Sequence, residues 1–576
     1  ERKIKGVLGA AGTTGCSPLD EALALTVSRS EADLAEARAF LDEDYKLDKS
    51  VSLAIDPEAR GWPESAQARE DLLHRMLHFQ MSSYLTAGLE FDKAKKQLVH
   101  RYELALKRAQ ERAERKKGPE LYASAFALAL DPHSSFLSDD DLEDFRISMR
   151  LSLEGIGAAL RTEDGFTYIE SLIPGGAAER TDALQPKDKI IAVTQSKSDP
   201  VSTIDMSIRD VVKLIRGPKG TEVTLTILRE GKSTRTFDVT IVRDKIDVAQ
   251  SAAKLDYEER MIGDRKVKIG VLELPSFYGG GNDGGRSSYK DVRRLVAEAV
   301  EGEVDGLVLD ISRNGGGLLE DAVRISGLFL RRGGVVATKS TDGDVEVLED
   351  DDPRIQYNGP LAVLISPVSA SGSEILAGAL KSYDRAVIVG GPRTFGKGTV
   401  QAVLPLPQRL GATKVTTGMF FIPDGASTQS QGVTAHVNVP SLMSAFDLGE
   451  DDLDYALAPQ SVDPFVSVQA NRSGAGKWVA VDEKKLRRLQ ARSDARVGKS
   501  SDFKEIKEQL ESSDDDVKEI TISEVTAESA KADEDGPGDE PAKARMERLH
   551  EAFTDEGVDV LVDLMRLQPS VRTAQN

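Results

Sequence analysis

Three short, almost purely aliphatic runs constrain the middle of this chain: Gly306-Leu-Val-Leu-Asp310-Ile311, Leu361-Ala-Val-Leu-Ile-Ser366 and Ala386-Val-Ile-Val-Gly390. A strand that is apolar on both faces must be covered on both sides, as in parallel sheets flanked by helices. Between the runs, at Tyr289 to Val300 and Glu374 to Lys381, apolar residues recur at helical spacing. Residues 246–460 are therefore expected to form an α/β unit with a partly parallel sheet.

The rest of the 576 residues reads as further domains in a multidomain α+β chain. After an N-terminal tail (1–20), residues 21–152 carry helical periodicity, as in Leu72, Leu73, Met76 and Leu77 and again in Leu104 and Leu106. The basic run Lys107 to Lys117 reads as a solvated helix face, ended by Gly118-Pro119. His74 and His78 lie four apart, but no zincin glutamate stands between them, so packing or surface roles and no metal are expected. Residues 153–245 switch to short β-rich segments, Phe166 to Ile173 and Val223 to Leu228, with one amphipathic helix at Ile208 to Ile215. Residues 461–576 form a charged, partly helical extension. Asp514 to Asp516 and Lys531 to Lys543 read as linker, and Met546 to Leu567 returns to helical spacing.

A formal charge of -21 repels phosphate backbones and argues against nucleic acid as a partner. No apolar run is long enough to span a bilayer. Cys16 is the only cysteine, so neither an internal disulfide nor a thiolate zinc cluster can form. The segment Lys3 to Cys16 loosely resembles a lipoprotein export signal, which would put a lipid anchor on Cys16.

Chemistry concentrates in three segments. Ser369-Ala-Ser371-Gly-Ser-Glu374 follows a strand-like run and opens a helical one; alone, it reads most simply as a helix cap. Gly396-Lys397-Gly398 boxes a lysine between glycines. A phosphate-binding loop is disfavoured there, because Gly398 stands where a hydroxyl should and Pro405 and Pro407 follow where a helix should. Asn314-Gly-Gly-Gly317 serves equally as a flexible turn or as a source of oxyanion donors. A Ser/Lys dyad accounts for the first two segments together. A serine needs a base, and a lysine becomes one when burial disfavours its charged form. The histidine nearest Ser371 in sequence, His436, lies outside these segments.

In this order, these segments resemble the C-terminal processing peptidases, in particular the tail-specific branch. Asp131-Pro-His-Ser-Ser-Phe-Leu137, Ser152-Leu-Glu-Gly-Ile-Gly-Ala158, Thr394-Phe-Gly-Lys-Gly-Thr-Val-Gln401 and Gly425-Ala-Ser-Thr-Gln-Ser-Gln-Gly-Val-Thr434 complete the pattern over residues 120 to 440. The resemblance implies a ClpP/crotonase-like serine protease core behind a PDZ domain. It makes Ser371 the nucleophile, Lys397 the base and Gln401 its orienting partner, with the N–H groups of Gly317 and Gly372 as oxyanion donors. It makes Gly155, Ile156, Gly157 and Ala158 the loop that receives a peptide's terminal carboxylate. It further implies no cofactor, substrates with apolar C-termini, a periplasmic location, and an adaptor or homo-oligomer engaged by the terminal helices. This sequence departs from the pattern in Gly372, where alanine is usual, in a Ser371 to Lys397 interval one residue longer, and in Ser382, with Asp384 two positions on, where an aspartate is common. The alternative reading is a catalytically idle PDZ scaffold that binds protein C-termini.

Overall fold

The computed structural model describes residues 17–567 except 55–59, 87, 115–116, 151, 164, 197, 231–233, 248–251, 280–285, 351, 353, 446–448, 468–476, 514–519 and 524–541. Cys16 and the linker at Asp514 to Asp516 and 531–541 lie outside the described residues.

The N-terminal region folds as α1 (Ser17–Phe40), β1 (Ser52–Leu53), α2 (Ala66–Thr86), α3 (Phe91–Glu114) and α4 (Gly118–Leu128), which has Pro119 in its first turn. Its core is Ala37, Leu41, Leu73, Leu77, Met81, Ala94 and Leu98. The apolar face of α3 is thus set by Ala94 and Leu98, while Leu104 and Leu106 stay half-buried. His78 Nδ1 pairs with the Tyr45 hydroxyl at 2.9 Å, and His74 Nε2 with Glu36 at 2.7 Å, so both histidines work in helix packing. A loop then leads through β2 (Ser135–Leu137) into α5 (Asp139–Arg150).

The next unit comprises β3 (Ser152–Gly155), β4 (Ala158–Glu163), β5 (Phe166–Leu172), β6 (Lys189–Gln195), β7 (Val201–Ser202), α6 (Ile208–Ile215), β8 (Glu222–Arg229), β9 (Arg235–Val242) and β10 (Asp244–Asp247). Strand order β4-β5-β6-β8-β9 is antiparallel throughout and leaves β4 at an edge; β3 pairs with β10. Ser207 caps α6 by accepting from the Asp210 N–H, and Val211 and Ile215 turn its apolar face onto Ile169, Ile190, Val193 and Leu225.

The remaining elements are β11 (Lys254–Ile262), β12 (Arg265–Glu273), α7 (Ser288–Glu301), β13 (Gly306–Asp310), α8 (Leu319–Gly327), β14 (Gly334–Ser340), β15 (Val345–Glu349), β16 (Leu361–Ile365), α9 (Gly372–Ser382), β17 (Val387–Gly390), β18 (Thr399–Pro405), β19 (Ala412–Phe421), β20 (Val437–Asn438), α10 (Glu483–Val497), α11 (Ser501–Ser513), β21 (Ile520–Thr521) and α12 (Ala542–Leu567). The three aliphatic runs are the parallel strands β13, β16 and β17 of the sheet β11-β12-β13-β16-β17-β20. Alternation along them separates two cores. Leu307, Leu309, Val363, Ile365 and Ile388 face α7, α8 and α9, whereas Val308, Ala362, Leu364, Val387 and Val389 face Leu549, Phe553, Val558 and Leu561 of α12. The C-terminal extension therefore supplies the sheet's second cover. A second sheet, β15-β14-β19-β18, takes β2 from ahead of the PDZ-like unit onto β19, with Leu137 opposite Ala412. Among the described residues, no helix is long and apolar enough to cross a membrane.

Candidate active site

Two loops meet above the ends of the parallel strands. One runs from β13 through Asn314 to Gly317, and the other from β16 through Ser366 to Ser371 and into α9. Hydroxyls stitch them together: Ser369 Oγ donates to the Ile311 carbonyl at 2.8 Å and Ser373 Oγ to the Asn314 carbonyl at 2.7 Å. Buried Asn314 donates Nδ2 to the Leu274 carbonyl and accepts from the Gly316 N–H, each within 2.9 Å. Ser371 immediately precedes α9 with φ 54° and ψ -111°, a conformation that costs a non-glycine residue about 1–3 kcal/mol and is concentrated at functional sites.

The glycines of the first loop are required by how close it lies. A Cβ on Gly316 (φ 106°) would sit 2.8 Å from the Ser371 Cβ, and one on Gly317 (φ 142°) 2.3 Å from the Phe277 carbonyl oxygen. Phe277 holds this loop by donating its N–H to the Gly316 carbonyl and accepting from the Leu318 N–H. The N–H groups of Gly317 and Gly372 donate to no other group among the described residues. A Cβ on Gly372 would lie 3.0 Å from the Phe277 ring, a side-chain contact rather than a backbone one.

Lys397 enters on a loop fastened to the same serine segment. Phe395 N–H donates to the Ser369 carbonyl at 3.0 Å. Fully buried Glu374 accepts at Oε1 from Thr394 Oγ1 and the Gly396 N–H, and at Oε2 from the N–H groups of Ser371 and Lys397. Burial pushes its carboxyl up to about 7 against the pull of those four donors. Lys397 Nζ donates to the Thr399 carbonyl at 2.8 Å and to Gln401 Oε1 at 2.7 Å. Burial brings this amine down to about 8, although the carboxylates of Glu450, Glu374 and Asp131 favour its charged form. No hydrogen bond joins Nζ to the Ser371 hydroxyl. The longer interval is anchored by Arg393, whose Nη2 reaches Asp451 at 2.6 Å.

The other sequence candidates fall elsewhere. His436 Nδ1 accepts from the Ile388 N–H at 3.1 Å, and burial lowers it to about 4, so this half-buried imidazole is neutral and holds the β17 backbone. Ser382 ends α9, about 16 Å along the helix axis from Ser371, and Asp384 lies in the turn beyond; neither is near the serine. Gly155, Ile156, Gly157 and Ala158 lead from β3 into edge strand β4, beside which α6 packs. Ile156 and Gly157 offer their carbonyls to the N–H groups of Ala178 and Ile173. Gly157 takes φ 77°, with Gly176 so close that a Cβ would lie 3.1 Å from its Cα. Sequence reasoning missed Glu374 and, around Gln401 and the Lys397 loop, Asp131, Thr416 and Glu450, which are linked to that loop by hydrogen bonds; of these only Glu374 and Asp131 lie in motifs legible from the sequence.

Residues 268–439 match the model of peptidase family S41, residues 144–228 that of the PDZ domain, and residues 10–140 that of the tail specific protease N-terminal domain. The tail-specific protease of Haemophilus influenzae is 34% identical over 538 residues, covering 92% of this chain and 73% of that protein. This chain belongs to peptidase family S41. As a member of that family's tail-specific branch, it is a serine-type C-terminal processing peptidase carrying a PDZ domain. The S41 peptidase is also 34% identical to the carboxy-terminal-processing protease of Bartonella bacilliformis, over 57% of this chain and 72% of that protein. A solved photosystem II D1 C-terminal processing protease is 26% identical, spanning 58% of this chain and 86% of that one with a TM-score of 0.35.

Proposed function

We propose that this peptidase cleaves proteins by a Ser371/Lys397 dyad after its PDZ domain captures an apolar C-terminal tail. The observation that carries the reading is the pair of acceptors on Lys397. A neutral amine has two N–H bonds and one lone pair. The Thr399 carbonyl and Gln401 Oε1 take the two protons, which leaves the lone pair for the Ser371 hydroxyl.

In the first step, Ser371 Oγ attacks the peptide carbonyl carbon while its proton passes to Lys397 Nζ. The carbonyl oxygen becomes an oxyanion between the N–H groups of Gly317 and Gly372, both free to donate. Collapse breaks the C–N bond, and Lys397 hands its proton to the leaving amine. Water, deprotonated by the same amine, then attacks the acyl ester; the C–O bond to Ser371 breaks and Lys397 returns the proton to Oγ. Nζ and Oγ must close on each other as substrate enters, since they make no hydrogen bond in the free chain; such tightening on binding is common.

Gly155 to Ala158 would hold the terminal carboxylate on backbone N–H groups while the tail adds to β4 as a further strand, with α6 as the other wall. No cofactor enters these steps. A place in the bacterial envelope, and an adaptor or second copy engaged by the terminal helices, belong to the same reading. One comparison tests tail capture: an unfolded substrate with an apolar C-terminus, free or amidated. Equal rates for the two tails would contradict carboxylate recognition.

A further inference from the structure

The loop joining α4 to β2 carries Asp131, His133 and Ser134, and it reaches the Lys397 loop by two paths. On the first, Thr416 Oγ1 donates to Asp131 Oδ1 at 2.8 Å and accepts from Gln401 Nε2 at 3.2 Å. On the second, His133 Nε2 meets Glu450 Oε2 at 2.6 Å, Glu450 Oε1 accepts from Gln429 Nε2 at 2.8 Å, and Gln429 Oε1 accepts from the Gly398 N–H at 2.9 Å.

The first path has a direction. Burial pushes the Asp131 carboxyl up, but hydrogen bonds from Ser134, Thr416 and the N–H groups of His133 and Ser134 hold it below the usual carboxylate range. An ionised carboxylate only accepts. Thr416 must therefore spend its single proton on Asp131, and its oxygen can only accept from Gln401. That selects the NH2 end of the amide and turns Oε1 toward Lys397. Thr399 Oγ1, 2.9 Å from the same Nε2, imposes no such choice by itself, because a hydroxyl can donate as well as accept.

We propose that Asp131 is a positioning residue of the dyad: acting through Thr416, it fixes which end of the Gln401 amide faces Lys397. The inference rests on the Ser371/Lys397 reading. It also makes the segment ahead of the PDZ domain part of the proteolytic apparatus.

The test is a cycle in the full chain on one unfolded substrate. T416V removes the hydroxyl at nearly constant volume and should lower kcat about tenfold, the weight of one orienting hydrogen bond, with KM unchanged. T416S should restore the rate, and in a Q401A background T416V should cost nothing further. An equal loss in both backgrounds, a wild-type rate for T416V, or no rescue by a folded T416S would overturn the proposal. If T416V does not fold, D131N completes the same cycle. Cleavage surviving in K397A would instead sink the dyad itself, so the two failures are distinguishable.

Discussion

The backbone N–H groups of Ser371 and Lys397 donate to one and the same oxygen, Oε2 of Glu374, at 2.8 and 2.9 Å. The two loops that carry the proposed dyad are thus held in register through a buried carboxylate. Glu374→Ala would orphan four buried donors and should destabilise the fold by on the order of 3 kcal/mol in denaturant unfolding. Glu374→Gln keeps the shape but offers one accepting oxygen in place of two. It should fold and lose at least about tenfold in kcat; a fully active Glu374→Gln would show that register does not depend on this oxygen.

The pH dependence follows from Lys397. In the proposed mechanism Lys397 must be neutral to take the serine proton, and burial brings this amine down to about 8. Below that value the charged form dominates, so kcat/KM should fall tenfold for each pH unit on the acid side and level off above it. Profiles measured between about pH 6 and 10 check this, since an acid limb near the ordinary histidine value of about 6.5 would point to a different base.

The two proposed oxyanion donors should respond differently to added bulk. Gly317→Ala drives a Cβ into the Phe277 backbone at 2.3 Å and should cost about 10²–10³ in kcat, as loss of one such donor does. Gly372→Ala keeps its N–H and meets only the Phe277 ring at 3.0 Å, so activity should stay near wild type. Steady-state kinetics on the pair separates donor geometry from mere crowding.

Much of this was legible locally. The aliphatic runs mark buried strands, and they are β13, β16 and β17; the helix expected at Ile208 to Ile215 is α6 with the same bounds. Serine, lysine and glycine motifs lie within segments short enough to recognise. What stayed hidden depends on distant pairing. Glu374 looked like half of a helix cap, and its second role appears only once the loop at Lys397 folds back 22 residues later. Thr416 and Asp131 are 285 residues apart, and no local pattern announces their contact.

The C-terminal extension hid its role for a similar reason. Its charge dominates the composition, while Leu549, Phe553, Val558 and Leu561 bury against the back of the sheet. Phe553→Ala should cost about 3–5 kcal/mol, read by chemical denaturation, because it empties a site with no solvent access. A cost near zero would mean that α12 is an appendage to the sheet rather than its cover.

The central claim is that Ser371 and Lys397 form the reacting pair. Its most direct test is degradation of one unfolded protein with an apolar C-terminal tail by wild type, Ser371→Ala and Lys397→Ala, with folding of each variant checked by thermal melting. Cleavage by wild type alone is the predicted result. Cleavage by folded Lys397→Ala would contradict it, and tail binding by all three without cleavage would favour a scaffold.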